Sequence, residues 1–140
     1  MSSRGLTVLA AAVLVCVFAG CASIHEVGKT LWGSSIRELQ KHRTDAITKT
    51  YNKGFWDCVQ ASLAVIDKNK YTVFQKDEVN GYIVIMGIPG YVNTTEVGIF
   101  FVELAENQTR IELSSLSTNA KRAAAKALFK GLDEPLNTTP

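Results

Sequence analysis

The chain has 140 residues, 46% of them hydrophobic and 20% charged, with 15 Lys+Arg against 13 Asp+Glu. That near-balance excludes the marked basic excess of a nucleic-acid-binding domain. Three cysteines in a chain of this length do not make a disulfide framework, so the fold must rest on an apolar core.

From the start, Met1 to Gly5 carries one positive charge, Arg4, and Leu6 to Phe18 is an apolar run of 13 residues without a charge. A membrane-spanning helix needs about 20 apolar residues, so this run reads as the centre of a signal peptide. It closes on Phe18-Ala19-Gly20-Cys21, two small residues followed by a cysteine. The arrangement resembles the lipobox of bacterial lipoproteins, with Phe18 where that pattern prefers leucine. The resemblance implies cleavage after Gly20, a diacylglyceryl group on Cys21 and a mature chain that starts there. Cys16 is a poor rival because the branched Val15 precedes it. The alternative is an ordinary signal peptide cut at Gly20 with Cys21 unmodified. One acyl chain binds membranes marginally, whereas the two or three of a lipoprotein anchor firmly. Loss of residues 1–20 leaves 120 residues, enough for one small domain. Cys58 is then alone, and the domain has no internal disulfide.

Residues 21–50 read as the lipidated N-terminus, a tether and a surface helix. Gly28 and Gly33 interrupt any early helical pattern. Ser35-Ile36-Arg37-Glu38 has capping-box spacing and predicts a helix from Ile36. The segment to Thr50 is mostly polar, with a thin apolar stripe of Ile36, Leu39 and Ala46-Ile47, which suits a surface or bridging helix. Arg37, Lys41, His42 and Arg43 lie close to the anchor, where each basic charge near an anionic leaflet contributes about 1 kcal/mol. Glu38 and Asp45 dilute that charge, and a solvated face is the plainer reading.

The α+β domain is predicted over residues 51–132. Phe55 to Ile66 is a helix in which Trp56, Val59, Leu63 and Ile66 form the apolar stripe, with Phe55, Cys58, Ser62 and Val65 beside it. The period then becomes extended. Tyr71 to Lys76 is a strand, Asp77 to Gly81 a turn, and Tyr82 to Ile88 an apolar strand, either buried on both sides or flanked by another layer. Thr95 to Leu104 is a long strand with Val97, Ile99 and Phe101 on one side and Gly98, Phe100 and Val102 on the other. Arg110 to Ser114 alternates with Ile111 and Leu113 inward. Ser117 is an N-cap for an alanine-rich helix over 118–130, with Ala120, Ala124, Ala127 and Leu128 inward and Arg122, Lys126 and Lys130 outward. Gly131 is expected to end it, and 133–140 to be a loose tail. Helix, four strands and helix joined by short turns predict an α+β two-layer sandwich: a four-stranded, mainly antiparallel sheet with the helices on one face.

The lipobox, GSSIRELQKHR, NTTEVGIFFVEL and RIELSSLSTNAK resemble a group of small, uncharacterised bacterial envelope lipoproteins, a likeness of layout that carries no activity. The helix-strands-helix order is also similar to the helix-grip domains of lipoproteins in outer-membrane assembly machinery, a likeness of fold only. Ala22 after the cysteine is not the aspartate that such lipoproteins use for inner-membrane retention, so the resemblance implies the periplasmic face of the outer membrane.

Chemistry is sparse. The histidines, His25 and His42, both precede the domain, and a Cys58–His42 pair has nothing else behind it. Cys58 lies on an apolar helix side, where cysteine behaves as a small hydrophobe. No zinc-protease, redox, nucleophile-elbow or phosphate-loop motif occurs, and the pair Asp77-Glu78 suits a turn better than a metal. Glu96, Glu103 and Glu112 are scattered over the strands. The reading therefore contains no catalytic residue, no cofactor and no metal site; its one site residue is Cys21, for lipidation. Trp32, Trp56, Tyr82, Tyr91, Phe100 and Phe101 are the material for a groove between helices and sheet, or simply for the core. Two functions follow: a non-enzymatic, membrane-anchored scaffold or interaction module with room for an envelope protein partner, or a binding or sensor module for a small apolar ligand or peptide. An open pocket of several hundred Å³ would favour a binding role.

Overall fold

Residues 35–137 are described by the structure, a computed structural model. The leader, Cys21, His25 and Trp32 lie outside the described residues. A short helix, α1 (35–41), leads through one turn of 3-10 helix at His42–Asp45 into β1 (Ile47–Tyr51). There follow α2 (Phe55–Lys68), β2 (Thr72–Asp77), β3 (Tyr82–Met86), β4 (Val97–Ala105), β5 (Gln108–Ser114) and α3 (Thr118–Asn137). The class is α+β with an antiparallel sheet. The sheet has five strands rather than four, in the order β1-β5-β4-β3-β2. Strands β2 to β5 form a meander, and β1 joins as an edge beside the last strand.

The extra strand lies where the sequence pattern continues the tether helix to Thr50. Ile47-Thr48-Lys49-Thr50-Tyr51 holds three β-branched residues and an aromatic, which suits a pleated surface better than a helix. Ile47 and Tyr51 turn to the core, while Thr48 and Thr50 pair across to Glu112 and Arg110 on the other face. Lys49 shares the core side and forms an ion pair with Asp133 of α3.

One face of the sheet carries Ile83, Ile85, Val97, Ile99, Phe101, Ile111 and Leu113, and α2 and α3 bury them. The buried side of α2 is Cys58, Val59, Ser62, Val65 and Ile66. This differs from the expected stripe: Leu63 is only half-buried and Trp56 stands out of it. In α3, Ala120, Ala124 and Leu128 face inward and Arg122, Lys126 and Lys130 outward, and Ser117 caps the helix through the Ala120 amide at 3.3 Å.

Helix α3 does not stop at Gly131. Leu132 and Leu136 continue its buried face, and Asp133 accepts hydrogen bonds from Lys49 and from the Tyr51 hydroxyl, the latter at 3.0 Å. Gly131 is there for space: a Cβ on it would lie 2.7 Å from Cγ1 of Val65. Pro135 falls in the last turn, where its missing N–H costs one hydrogen bond and leaves the preceding turns intact. The stretch 133–137, expected as loose tail, is therefore helix.

The helices are not confined to one face. On the opposite side Tyr82, Val84 and Phe100 form a second apolar cluster, closed by Leu39 of α1 with Ile36 and Phe74 at its rim. Gly98 lets Leu39 approach, since a Cβ there would meet Leu39 Cδ1 at 3.3 Å and the Phe100 ring at 2.8 Å. Ser114 Oγ donates to the Leu39 carbonyl and holds α1 down. This cover, absent from the expected two-layer sandwich, accounts for the apolar residues on both sides of β3.

Candidate functional site

The two faces of the sheet bring together different chemistry. On the outer face, buried Glu112 accepts from Arg43 Nε at 2.7 Å and from Arg110 Nε at 2.8 Å, and the Arg43 guanidinium lies 4.7 Å from the Phe100 ring centre. Lys121, only 3% exposed, donates to the Asp45 carbonyl at 2.6 Å and to its carboxylate at 3.0 Å. That bond, and to a smaller extent the ammonium charge, holds the Asp45 carboxyl below its ordinary value. These groups are spent on one another and fasten the segment 42–45 to the sheet and to α3.

At the hairpin end of the sheet the residues are left open. The turn 78–81 between β2 and β3, the N-terminal turn of α2 and the end of β4 enclose a groove of about 470 Å³, open to solvent. Phe101 forms its floor and Phe55 a wall, their ring centres 6.1 Å apart and edge to face. Trp56 stands against Phe55 at 5.1 Å with the planes perpendicular. Trp56 is 56% exposed and Val79 95% exposed. Two adjacent aromatics at the start of α2 cannot both face the core, because successive helical residues are about 100° apart. Phe55 takes the inward position and Trp56 is left at the mouth.

The rim is acidic. Glu78 and Glu103 line the groove. Glu78 accepts from Lys76 at 2.8 Å, while Glu103 has no ion pair among the described residues. Asp77 is committed to the turn: it accepts from Asn80 Nδ2 at 2.7 Å and from the Asn80 amide at 2.9 Å, and those donors hold its carboxyl below its ordinary value. The turn is pinned to β4 by the Phe101 amide, which donates to the Gly81 carbonyl at 2.8 Å. The mouth thus has a fixed backbone.

Of the six aromatics expected to form a groove, Trp56 and Phe101 line this one. Tyr82 and Phe100 belong to the outer-face cluster, Tyr91 packs at the edge of the main core, and Trp32 lies outside the described residues. Phe55, Val79 and Glu78 complete the site. In the sequence Val79 reads only as a turn residue; its sole signal is an apolar side chain inside a polar turn. Cys58 and His42 are not brought together, since Cys58 is buried in the main core and His42 sits in the turn before β1. Burial raises the Cys58 thiol above its ordinary value. Glu96, Glu103 and Glu112 fall at three separate places, and among the described residues no three His, Cys, Asp or Glu side chains converge as a metal would require. Nor is any described helix long and apolar enough to cross a membrane.

The chain matches no protein-family model, and no curated protein matches it in sequence.

Proposed function

We propose that this protein is a non-enzymatic bacterial envelope lipoprotein, anchored through Cys21 at the periplasmic face of the outer membrane, whose folded part is an interaction module that holds a segment of a partner beside Trp56. The observation that carries the reading is the open groove with a half-exposed tryptophan at its mouth. Tryptophan is enriched among the residues that dominate binding energy, and a well-formed surface apolar group in a concave site is where partners anchor. A volume of about 470 Å³ is in the range of binding sites, about 300–1,000 Å³. Small-molecule sites enclose most of their ligand; this groove is open along one side and suits a chain passing through it. The anchor half of the proposal rests on the resemblance of Phe18-Ala19-Gly20-Cys21 to a lipobox.

Two variants test the two halves. Cys21→Ser should lose fatty-acid labelling and appear in the soluble fraction; persistent labelling contradicts the anchor. Trp56→Ala should keep the label and a cooperative urea transition, lowered only by the lost contact with Phe55, yet lose the partner recovered by crosslinking wild-type envelopes. Unchanged recovery contradicts the groove.

A further inference from the structure

We infer that the groove receives a cation: an arginine or lysine side chain, carried by an extended segment of another protein, stacked on Trp56 between Glu78 and Glu103. The inference rests on the interaction-module reading and names what that module would select. A tryptophan face is the best aromatic partner for a cation, and at exposed sites such stacking is worth about 0.5–1 kcal/mol, more when water is excluded. Here the indole packs perpendicular to the Phe55 ring, lines the groove and is 56% exposed.

The carboxylates decide the sign of the occupant. Glu103 is exposed and without an ion pair among the described residues, and Glu78 has one, to Lys76. Two more exposed acids, Asp57 and Glu106, stand at the same end beside Gly54, with Lys53 next to them; a Cβ built on Gly54 would lie 3.6 Å from Asp57 Oδ2 and 3.7 Å from the backbone carbonyl of Glu106. The whole chain is close to electroneutral, so this acidity is local. An apolar segment filling the groove would strip water from Glu103 and return nothing for it. A guanidinium or ammonium offsets that loss, and the planar guanidinium also matches the indole face and a carboxylate edge together.

The test uses the full-length protein in detergent with Trp32→Phe, so that Trp56 is the only tryptophan and reports on the groove by its fluorescence. Three blocked octapeptides are compared: leucine alternating with arginine, with the neutral isostere citrulline, and with norleucine. The arginine peptide should give a saturable shift in Trp56 emission and bind about tenfold more tightly than the citrulline peptide. Glu103→Gln should remove most of that difference by weakening the arginine peptide while the citrulline peptide binds no less tightly, and raised salt should weaken only the arginine peptide. Equal affinity for the three peptides, indifferent to Glu103→Gln, overturns the cation inference and leaves the groove as an apolar docking site. No saturable shift with any of them overturns both the inference and the groove reading beneath it.

Discussion

Replacing Gly131 by alanine sets two known effects against each other where α3 packs on Val65 of α2. In the interior of a helix the exchange should gain about 0.8–1.0 kcal/mol from backbone propensity alone. The new Cβ, however, would stand 2.7 Å from Cγ1 and 2.9 Å from Cγ2 of Val65, with Val65 Cβ at 3.4 Å. Valine in a helix is confined to one favoured rotamer, so neither methyl can turn away, and the helices must part. Overpacking of this kind costs about 1–3 kcal/mol. Gly131→Ala should therefore be neutral to destabilising, by about 0–2 kcal/mol. Val65→Ala removes both crowding methyls and should itself cost about 2 kcal/mol in lost burial. In that background Gly131→Ala should turn stabilising by about 1 kcal/mol, an interaction energy of about 1–3 kcal/mol across the cycle. Urea denaturation of the four proteins reads it, since 1 kcal/mol moves the midpoint by about 0.3–1 M. If Gly131→Ala has the same effect with and without Val65→Ala, the two helices are not in contact there and the stated reason for glycine fails.

Ser62 is fully buried in α2 and its hydroxyl has no hydrogen-bond partner among the described residues; Ser62→Ala should raise stability by up to about 1–3 kcal/mol, and a loss in the urea midpoint would show that the hydroxyl has a partner. Cys58 is fully buried with its thiol raised by burial, so it should resist a thiol reagent until the protein is denatured; rapid native labelling would contradict the packing. The Asp133 carboxyl is held below its ordinary value, first by the hydrogen bond from Lys49, so the stability it adds is complete above the ordinary carboxylate range and fades as pH falls through the lowered value. Wild type should thus lose stability below about pH 4, and Asp133→Asn should lose less over the same range; parallel profiles would refute the pairing.

What is legible in the sequence is whatever local periodicity decides. The apolar run of β3, the alternation in β4 and β5, the Ser117 cap and the outward Arg122, Lys126 and Lys130 all follow from patterns within a few residues. What escapes depends on partners distant in the chain. β1 is hidden because Thr48, Lys49 and Thr50 look like helix surface until Glu112, Asp133 and Arg110 stand opposite them. Gly131 reads as a stop because its reason for being glycine is Val65, 66 positions earlier. α1 reads as a surface element because its stripe is thin, yet Leu39, admitted by Gly98 and flanked by Ile36, closes the outer-face cluster. The groove is half legible: its aromatic content is visible, but not that Phe55 takes the inward place and leaves Trp56 outside, nor that Glu103 and Val79 meet there.

The central claim is that the mouth of the groove beside Trp56 is where this protein meets its partner. The most direct measurement places a photo-crosslinking amino acid at Val79, the most exposed apolar position described, in the full-length, membrane-anchored protein. A second probe at Lys126, on the outward side of α3, serves as comparison. The account predicts one discrete adduct from Val79, lost when Trp56→Ala is added, and none from Lys126. An adduct at Lys126 alone, or one at Val79 that survives Trp56→Ala, would contradict it.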